Sequence, residues 1–176
     1  MNIFITDLAK ISKKSIFMKK AAVLLNQRDK RRFDAMTCVN RKLQFLVGRL
    51  MIDRFLGEEF SIQKSGKLVS KKGYLSLAHS KNLVVLALSD APVGVDVEYT
   101  LTKRNYRKIC QFLHLGDCHD PKDFYKLFTM YEADYKLGAT TKKISHMFFL
   151  QKDYLICVAG LKEVACQVYE YFPDHC

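Results

Sequence analysis

The segment Gly94-Val95-Asp96-Val97-Glu98 alternates apolar and acidic residues, which is typical of a β-strand with one face in the core and the other face charged. About thirty residues later follows Phe128-Thr129-Met130-Tyr131-Glu132-Ala133-Asp134-Tyr135-Lys136. Its i, i+4 spacing places Glu132 and Lys136 on one face of a predicted helix. Three carboxylates and a lysine that can converge indicate a hard divalent cation next to a phosphate. The two segments together predict phosphate-transfer chemistry on a small scaffold of helices and strands.

Each of these features also has an ordinary explanation. Acidic residues two apart are common on the solvent face of a strand, and a Glu–Lys pair at i, i+4 is common as a surface salt bridge. Two like charges on one strand face nevertheless repel each other unless a cation lies between them. His79 has two interpretations as well: a strand-end donor to a phosphate oxygen, or a hydrogen-bonded loop histidine.

Composition limits the kind of protein that this chain can be. A length of 176 residues fits one ordinary domain or two small halves that share a core. The net charge of +11 attracts polyanions such as coenzymes, nucleic acid or acidic proteins. The longest apolar runs, at residues 83–88 and 147–150, are too short to cross a bilayer. The N-terminus lacks the pattern of a signal peptide, so we expect a cytoplasmic protein.

The six cysteines include no CxxC motif, and we expect them to be reduced. The nearest approach to a zinc motif is a group of two cysteines and two histidines: Cys110, His114, Cys118 and His119. Cys110 and His114 would share a helical face, as zinc ligands could. Gly116 and Asp117, however, favour a break between the ligands, so a loop and helix without metal is the preferred interpretation.

Periodicity and turn residues predict the elements of an α+β protein. Helices are predicted over residues 14–26, 31–56, 103–113 and 121–137. Strands are predicted over residues 2–7, 60–62, 74–78, 83–88, 93–98, 144–150, 154–159 and 164–172, with a turn at 65–67 and a hairpin loop at 79–82. Each half therefore has helices and an antiparallel set of strands. We expect an N-terminal α+β half over residues 1–91 and a C-terminal α+β half, with the metal site, over residues 92–176.

Three segments occur in the order and spacing of one known family: residues 74–80 (YLSLAHS), 94–98 (GVDVE) and 128–136 (FTMYEADYK). The chain resembles the 4′-phosphopantetheinyl transferases of the surfactin-synthetase-activating type. In that family a strand ends in a Ser-His-Ser-like element, followed by Gly-[Ile/Val]-Asp-[Ile/Val]-Glu and later by Trp/Phe-[Ser/Thr]-x-Lys-Glu-Ala/Ser-x-x-Lys. Gly66-Lys67 is similar to the family's Gly-Lys-Pro, and residues 30–32 and 45–49 are similar to its basic N-terminal helix region. The resemblance covers about residues 28–160.

The resemblance implies an enzyme that transfers the 4′-phosphopantetheine group of coenzyme A to a serine of an acyl or peptidyl carrier protein, releasing adenosine 3′,5′-bisphosphate. It implies a pseudo-dimer of two similar α+β halves, with coenzyme A and Mg²⁺ in the cleft between them. It also implies an acidic carrier protein as partner, which the +11 charge would attract, and a monomeric enzyme.

The resemblance assigns roles residue by residue. The Mg²⁺ ligands would be Asp96, Glu98 and Glu132, and Glu132 would also be the general base. Lys136 and His79 would act on the pyrophosphate as catalytic residues. The contacts to coenzyme A would come from Lys67, His79, Ser80, Lys136, Arg49, Lys30 and Arg31.

The sequence departs from the family pattern at four positions. The lysine before Glu132 is Tyr131 here, the serine before His79 is Ala78, the proline after Lys67 is Leu68, and the tryptophan is Phe128. Tyr131 removes a cation beside the transferring phosphate, so a relative that binds coenzyme A or a carrier protein without transfer is one alternative. A basic nucleic-acid-binding module is another, although no RNP-like aromatic strand occurs.

Overall fold

The computed structural model describes residues 1–57, 60–62, 68–71, 73–138, 143–161 and 165–173, which form five α-helices and nine β-strands. The helices are α1 Lys14–Ala21, α2 Gln27–Ala35, α3 Val39–Leu56, α4 Tyr106–Leu113 and α5 Pro121–Leu137. The strands are β1 Asn2–Asp7, β2 Phe60–Ile62, β3 Leu68–Ser70, β4 Tyr74–Ser80, β5 Leu83–Ser89, β6 Val93–Tyr99, β7 Ser145–Gln151, β8 Tyr154–Gly160 and β9 Gln167–Glu170. The predicted α+β class is confirmed.

Two sheets and two helices form the layers that carry the site. The first sheet has the order β4-β5-β1-β9, and the second has the order β6-β8-β7; β2 and β3 pair as a separate antiparallel ribbon. Apolar side chains from β1, β5, β6 and β8 form one core cluster between the two sheets. Helix α3 packs on the outer face of the first sheet, and α5 packs on the outer face of the second.

The two sheets meet where β6 runs beside β4, and serine side chains of β4 make the connection. Ser76 Oγ accepts a hydrogen bond from the backbone nitrogen of Val95 at 3.0 Å, and Ser80 Oγ accepts one from the backbone nitrogen of Tyr99 at 3.1 Å. The end of β4, which carries His79, is thereby fixed beside the acidic residues of β6.

Gly94 allows α5 to lie directly on β6. A β-carbon at this position would collide with the carbonyl oxygen of Ala133 and would lie 2.7 Å from the backbone nitrogen of Leu137. Because real β-carbons do not approach backbone atoms this closely, only glycine permits the observed contact. The contact sets the height of the α5 residues Glu132 and Lys136 above the sheet.

The predicted helix over residues 31–56 is wrong, because the chain forms two helices there. Asn26 caps α2 by accepting a hydrogen bond from the backbone nitrogen of Asp29 at 2.9 Å, and the backbone is extended at Met36 and at Cys38 before α3 begins. The apolar periodicity continues through the break because both helices contribute to the same core cluster. Helix α1 likewise ends at Ala21 and continues as a short 3-10 turn rather than reaching residue 26.

Other predicted elements differ at their ends. The helix predicted from residue 103 begins at Tyr106, where Asn105 caps it. The hairpin between β4 and β5 turns at Lys81 and Asn82, so His79 and Ser80 belong to β4. The last strand is short and pairs parallel with β1 of the first sheet. The predicted turn at residues 65–67 lies outside the described residues. No helix in the described part of the chain is long and apolar enough to cross a membrane.

The expectation of reduced cysteines is wrong at one pair, since Cys110 and Cys118 form a disulfide. It links α4 to the connection that leads into α5, and His114 adopts a left-handed conformation between the two cysteines. With both sulfurs bonded to each other, neither is available as a thiolate ligand for zinc. The zinc alternative is therefore excluded for this oxidised form.

Candidate functional site

Asp96 is at the centre of the site. It lies on the face of β6 that α5 covers and is only 6% exposed. Lys136 Nζ donates to Asp96 Oδ1 at 2.7 Å and to the carbonyl oxygen of Val95 at 3.2 Å. Asp96 Oδ2 is buried and has no hydrogen-bond partner among the described residues. One carboxylate oxygen is therefore neutralised by a lysine, and the other can accept a further cation or donor.

The pKa of Asp96 responds to burial and to three neighbouring charges. The pKa is raised to about 6, mainly by burial; the charge and hydrogen bond of Lys136 oppose the rise, and the negative charges of Glu98 and Glu132 add to it. Glu98 comes from the same strand face and Glu132 from α5, and the charge of each acts on Asp96.

Glu98 is held by residues from two other segments. Arg104 donates to both carboxylate oxygens, with Nη2 3.0 Å from Oε2 and Nη1 3.5 Å from Oε1, and Ser80 Oγ donates to Oε2 at 3.2 Å. Burial raises the pKa of Glu98, while Arg104 and Ser80 lower it. The guanidinium of Arg104 lies 5.6 Å from the ring centroid of Phe128, which fixes its position. Sequence reasoning missed Arg104, and its only indication was its place six residues after Glu98.

His79 faces the same space from β4. Arg41 Nη1 lies 2.8 and 3.0 Å from the two ring nitrogens. Burial, together with the charges of Arg41 and Lys136, lowers the pKa of His79 to about 4, so the imidazole is neutral at pH 7. Sequence reasoning recorded Arg41 only as one member of a basic cluster and did not predict its contact with His79. The contact follows from the packing of α3 on the first sheet.

The residues that these interactions bring together are here called the Asp96 cluster. They are Asp96, Glu98 and Glu132 with Lys136, Arg104, Arg41 and His79. Strands β4 and β6 and helices α3 and α5 all contribute to it. Oxygen ligands next to cationic donors are suited to an anionic phosphate ligand accompanied by a hard cation.

Lys30 lines a separate basic cleft near this cluster. The cleft has a volume of about 380 Å³, and Lys19, Lys42 and Phe33 also line it. The ammonium groups of Lys30 and Lys42 lie 5.7 and 5.2 Å from the ring centroid of Phe33, and Lys30 also pairs with Asp34 at 2.8 Å. Lys42 directly follows Arg41 on α3, so the cleft and the Asp96 cluster share the first turn of that helix.

The other predicted coenzyme contacts lie in different surroundings. Arg49 is buried, its Nε lies 2.9 Å from Asp29 Oδ2, and its guanidinium lies 4.7 Å from the ring centroid of Phe45. Burial lowers the pKa of Arg49, and Asp29 opposes this shift. Arg31 is exposed on α2. Lys67 lies outside the described residues.

The donor chemistry of the cluster fits a hard cation in part. Carboxylate oxygens are the ligands that Mg²⁺ prefers, and the unpartnered Oδ2 of Asp96 is available to one. Within the described residues, however, no three His, Cys, Asp or Glu side chains are grouped closely enough to hold a metal ion on their own. Lys136 and Arg104 neutralise Asp96 and Glu98 in this arrangement. A metal ion bound here would have to complete its coordination with ligand oxygens and water.

Neither a family model nor a curated protein sequence matches this chain. The motif segments and the contacts between their residues are therefore the features of this chain that bear on its function.

Proposed function

We propose that this protein is a 4′-phosphopantetheinyl transferase that moves the phosphopantetheine group of coenzyme A to a serine of an acidic acyl or peptidyl carrier protein. The observation that carries the proposal is the meeting of Lys136, from α5, and His79, from β4, around a buried Asp96 with one unpartnered oxygen. An anionic ligand with several phosphates, accompanied by a bound cation, would match this combination of donors and acceptors.

Mg²⁺ would be held by Asp96, Glu98 and Glu132, together with pyrophosphate oxygens and water. When bound, it would neutralise the negative charge of the pyrophosphate. The negative charges of Glu98 and Glu132, which act on the buried Asp96, support this assignment, since a cation bound beside Asp96 would offset them.

The pyrophosphate would be bound by Lys136 and Arg41 as cations and by His79 through one N–H of its neutral ring. Because the pKa of His79 is lowered to about 4, this ring donates to a phosphate oxygen without delivering a proton at pH 7. The cleft around Lys30 and Lys42 would take the remaining phosphate of coenzyme A, with Phe33 beside the ligand. Lys67, Ser80, Arg31 and Arg49 stay predictions from the resemblance.

The transfer step would begin with the carrier serine. Its hydroxyl oxygen forms a bond to the phosphorus that carries the pantetheine arm, and the bond from this phosphorus to the bridging pyrophosphate oxygen breaks. Glu132 accepts the serine proton, directly or through water, and adenosine 3′,5′-bisphosphate leaves with the electron pair. Glu132 is half-buried on α5, where it can exchange protons with solvent.

We also propose a finer description of the fold, a pseudo-dimer. Two α+β halves, residues 1–91 and 92–176, would form a pseudo-dimer with the ligand cleft between β4 and β6. The layer arrangement supports it, because each sheet has one long helix on its outer face, although β9 of the second half joins the sheet of the first half. We also propose that the protein acts as a monomer in the cytoplasm.

One observation favours a second candidate, a relative that binds coenzyme A or the carrier protein without transfer. Tyr131, where the family has lysine, is 38% exposed and supplies no cation next to Glu132. In this case coenzyme A would bind without product formation, and Tyr131→Lys would restore transfer.

Intact-mass spectrometry of apo carrier proteins tests the proposal. Each carrier is incubated with this protein, coenzyme A and Mg²⁺, with and without EDTA. We expect a mass gain of one phosphopantetheine group that EDTA prevents. If several acyl and peptidyl carriers gain no mass while coenzyme A binds, the non-transferring candidate is favoured. If coenzyme A does not bind, both candidates are wrong.

A further inference from the structure

An apolar groove lies between the first half of α5 and the ends of β7 and β8. Its volume is about 750 Å³, and its lining residues are Thr100, Pro121, Lys122, Tyr125, Lys126, Phe148, Phe149, Leu150 and Leu155. Its described lining contains two lysines and no carboxylate. Leu150 is 70% exposed, so the groove presents a large apolar side chain to solvent.

The groove adjoins the Asp96 cluster along one row of the second sheet. Glu98 is paired with Leu155, and Leu155 is paired with Leu150 on the next strand. Residues directly opposite each other in a sheet share a face, with β-carbons about 5 Å apart. The row therefore runs from a proposed metal ligand, Glu98, to the exposed end of the groove at Leu150. A partner lying on Leu155 and Leu150 would be beside the cluster.

A second connection runs through Tyr125. Its ring lies on the groove side of Arg104, 6.0 Å from the guanidinium, and its hydroxyl donates to the carbonyl oxygen of Thr102 at 2.5 Å. Arg104 in turn holds Glu98. One residue of the groove wall, Tyr125, is thus in contact with the arginine that positions the carboxylate of Glu98.

The two lysines give the groove a charge preference. Lys126 lies 5.8 Å from the ring centroid of Phe148, and Lys122 is one helical turn earlier on α5. Both are exposed, and neither has a carboxylate partner among the ion pairs between described residues. An apolar floor beside a row of positive charge matches a helix with apolar residues on one face and acidic residues next to them.

We propose that this groove docks an acidic amphipathic helix, and that the helix belongs to the carrier protein that presents the reacting serine. The assignment of the helix to a carrier rests on the proposed function. The open shape of the groove favours a helix over a small amphiphile, because Leu150 would stay largely in water beneath a small ligand.

Binding of an acidic apo acyl carrier protein, measured by titration calorimetry, tests the docking without needing turnover. Lys126→Glu reverses one rim charge, and Leu150→Glu places a charge on the exposed apolar floor. We expect each to weaken carrier binding by about tenfold or more. The matched controls are Lys20→Glu and Val23→Glu, which make the same changes at exposed positions of α1 and the turn after it. They should weaken binding less than about threefold, through net charge alone.

The docking proposal would be overturned if the groove and control substitutions weakened carrier binding equally. It would also be overturned if the wild-type protein failed to bind the carrier. The proposed function is read separately, from the mass gain of the carrier. If wild type modifies the carrier but Lys126→Glu and Leu150→Glu bind the carrier as tightly as wild type does, only the docking proposal is contradicted. If both groove variants bind the carrier more weakly than wild type does, but wild type causes no mass gain of the carrier, only the proposed transfer activity is contradicted. Thermal unfolding of each variant checks that the fold is retained.

Discussion

Two buried carboxylates of this protein, Asp96 and Asp29, each pair with one cation, but their surroundings differ. Lys136 Nζ lies 2.7 Å from Asp96, and Arg49 Nε lies 2.9 Å from Asp29. Each aspartate also has one buried oxygen without a hydrogen-bond partner among the described residues. An unpartnered oxygen is therefore not enough to distinguish a reactive site from a structural ion pair.

The charges around each pair distinguish the proposed reactive site at Asp96 from the structural ion pair at Asp29. Other carboxylates, Glu98 and Glu132, raise the pKa of Asp96. Around the second pair the neighbours are cationic, and the charges of Arg32 and Arg28 lower the pKa of Arg49. Several acidic groups in one place cost stability unless a ligand or cation compensates for them. We infer that the Asp96 cluster is built for a ligand, whereas the Asp29–Arg49 pair joins α2 to α3.

The largest expected effect is a difference in transfer rate between substitutions of the two aspartates. Asp96→Asn keeps the shape of the side chain and removes its charge, so Mg²⁺-dependent transfer should fall by about a hundredfold or more, since the variant loses a proposed metal ligand. Asp29→Asn should keep the wild-type rate per folded molecule. Initial rates of carrier modification, normalised to the folded fraction, check this. A similar loss in both variants would remove the distinction.

The free energy of unfolding, in contrast to the transfer rate, should depend strongly on Asp29. Asp29→Asn leaves the buried Arg49 without its counter-ion, and we expect it to lower the free energy of unfolding by about 3 kcal/mol. Urea unfolding followed by circular dichroism measures this quantity at pH 7. The double substitution Asp29→Asn with Arg49→Met removes both charges and should recover part of the loss. A destabilisation below about 0.5 kcal/mol in Asp29→Asn would show that the pair does not join the helices.

Gly94 sharpens the comparison, because it positions α5 over the Asp96 cluster and is remote from the Asp29–Arg49 pair in the fold. Gly94→Ala should cost about 2 to 3 kcal/mol, since the new β-carbon collides with α5 backbone. Gly48→Ala is the matched control, because there the β-carbon meets the tip of the Leu77 side chain, which can rotate. Chemical unfolding of the two variants gives both values. Equal costs would contradict the close approach of α5 to β6.

The smallest expected effect concerns pH. The pKa of Asp96 is about 6 in the folded, metal-free protein and about 3.9 in an unfolded chain. Between these values the folded state holds the proton more tightly, so this group favours folding below about pH 4 and loses that contribution as the pH rises through 6.

Asp96→Asn removes this titration. In EDTA, the free energy of unfolding of Asp96→Asn relative to wild type should therefore increase by about 2 kcal/mol from pH 4 to pH 7. Asp29→Asn is the control for the loss of a buried carboxylate elsewhere. A difference between Asp96→Asn and wild type that is independent of pH would contradict the raised pKa.

Local patterns were sufficient for the elements that carry the motifs. The predicted helix over residues 121–137 matches α5, whose start is marked by Pro121 in the first turn, and the alternation in β6 correctly placed Val95 and Val97 in the core.

The contact of Lys136 with Asp96 could be expected, because β6 and α5 are elements whose apolar faces must pack together. A metal site made of Asp96, Glu98 and Glu132 stays a prediction, since no three acidic, His or Cys side chains of the described residues are grouped closely enough to hold a metal ion on their own.

Other parts of the site depend on contacts that no local pattern encodes. Arg41 reaches His79 across 38 positions of sequence, through the packing of α3 on the first sheet. The break between α2 and α3 is hidden because the apolar face continues across it. The disulfide and the return of β9 to the first sheet likewise follow from the tertiary structure, since neither has a spacing that identifies it.

The central claim is that the Asp96 cluster binds coenzyme A together with Mg²⁺. Titration calorimetry of coenzyme A into wild type and Asp96→Asn, each with Mg²⁺ and with EDTA, tests it most directly. Mg²⁺ should strengthen binding to wild type by about tenfold or more and should leave binding to Asp96→Asn nearly unchanged. Coenzyme A affinity that is the same with and without Mg²⁺ in wild type, or equally Mg²⁺-dependent in both proteins, would contradict the account.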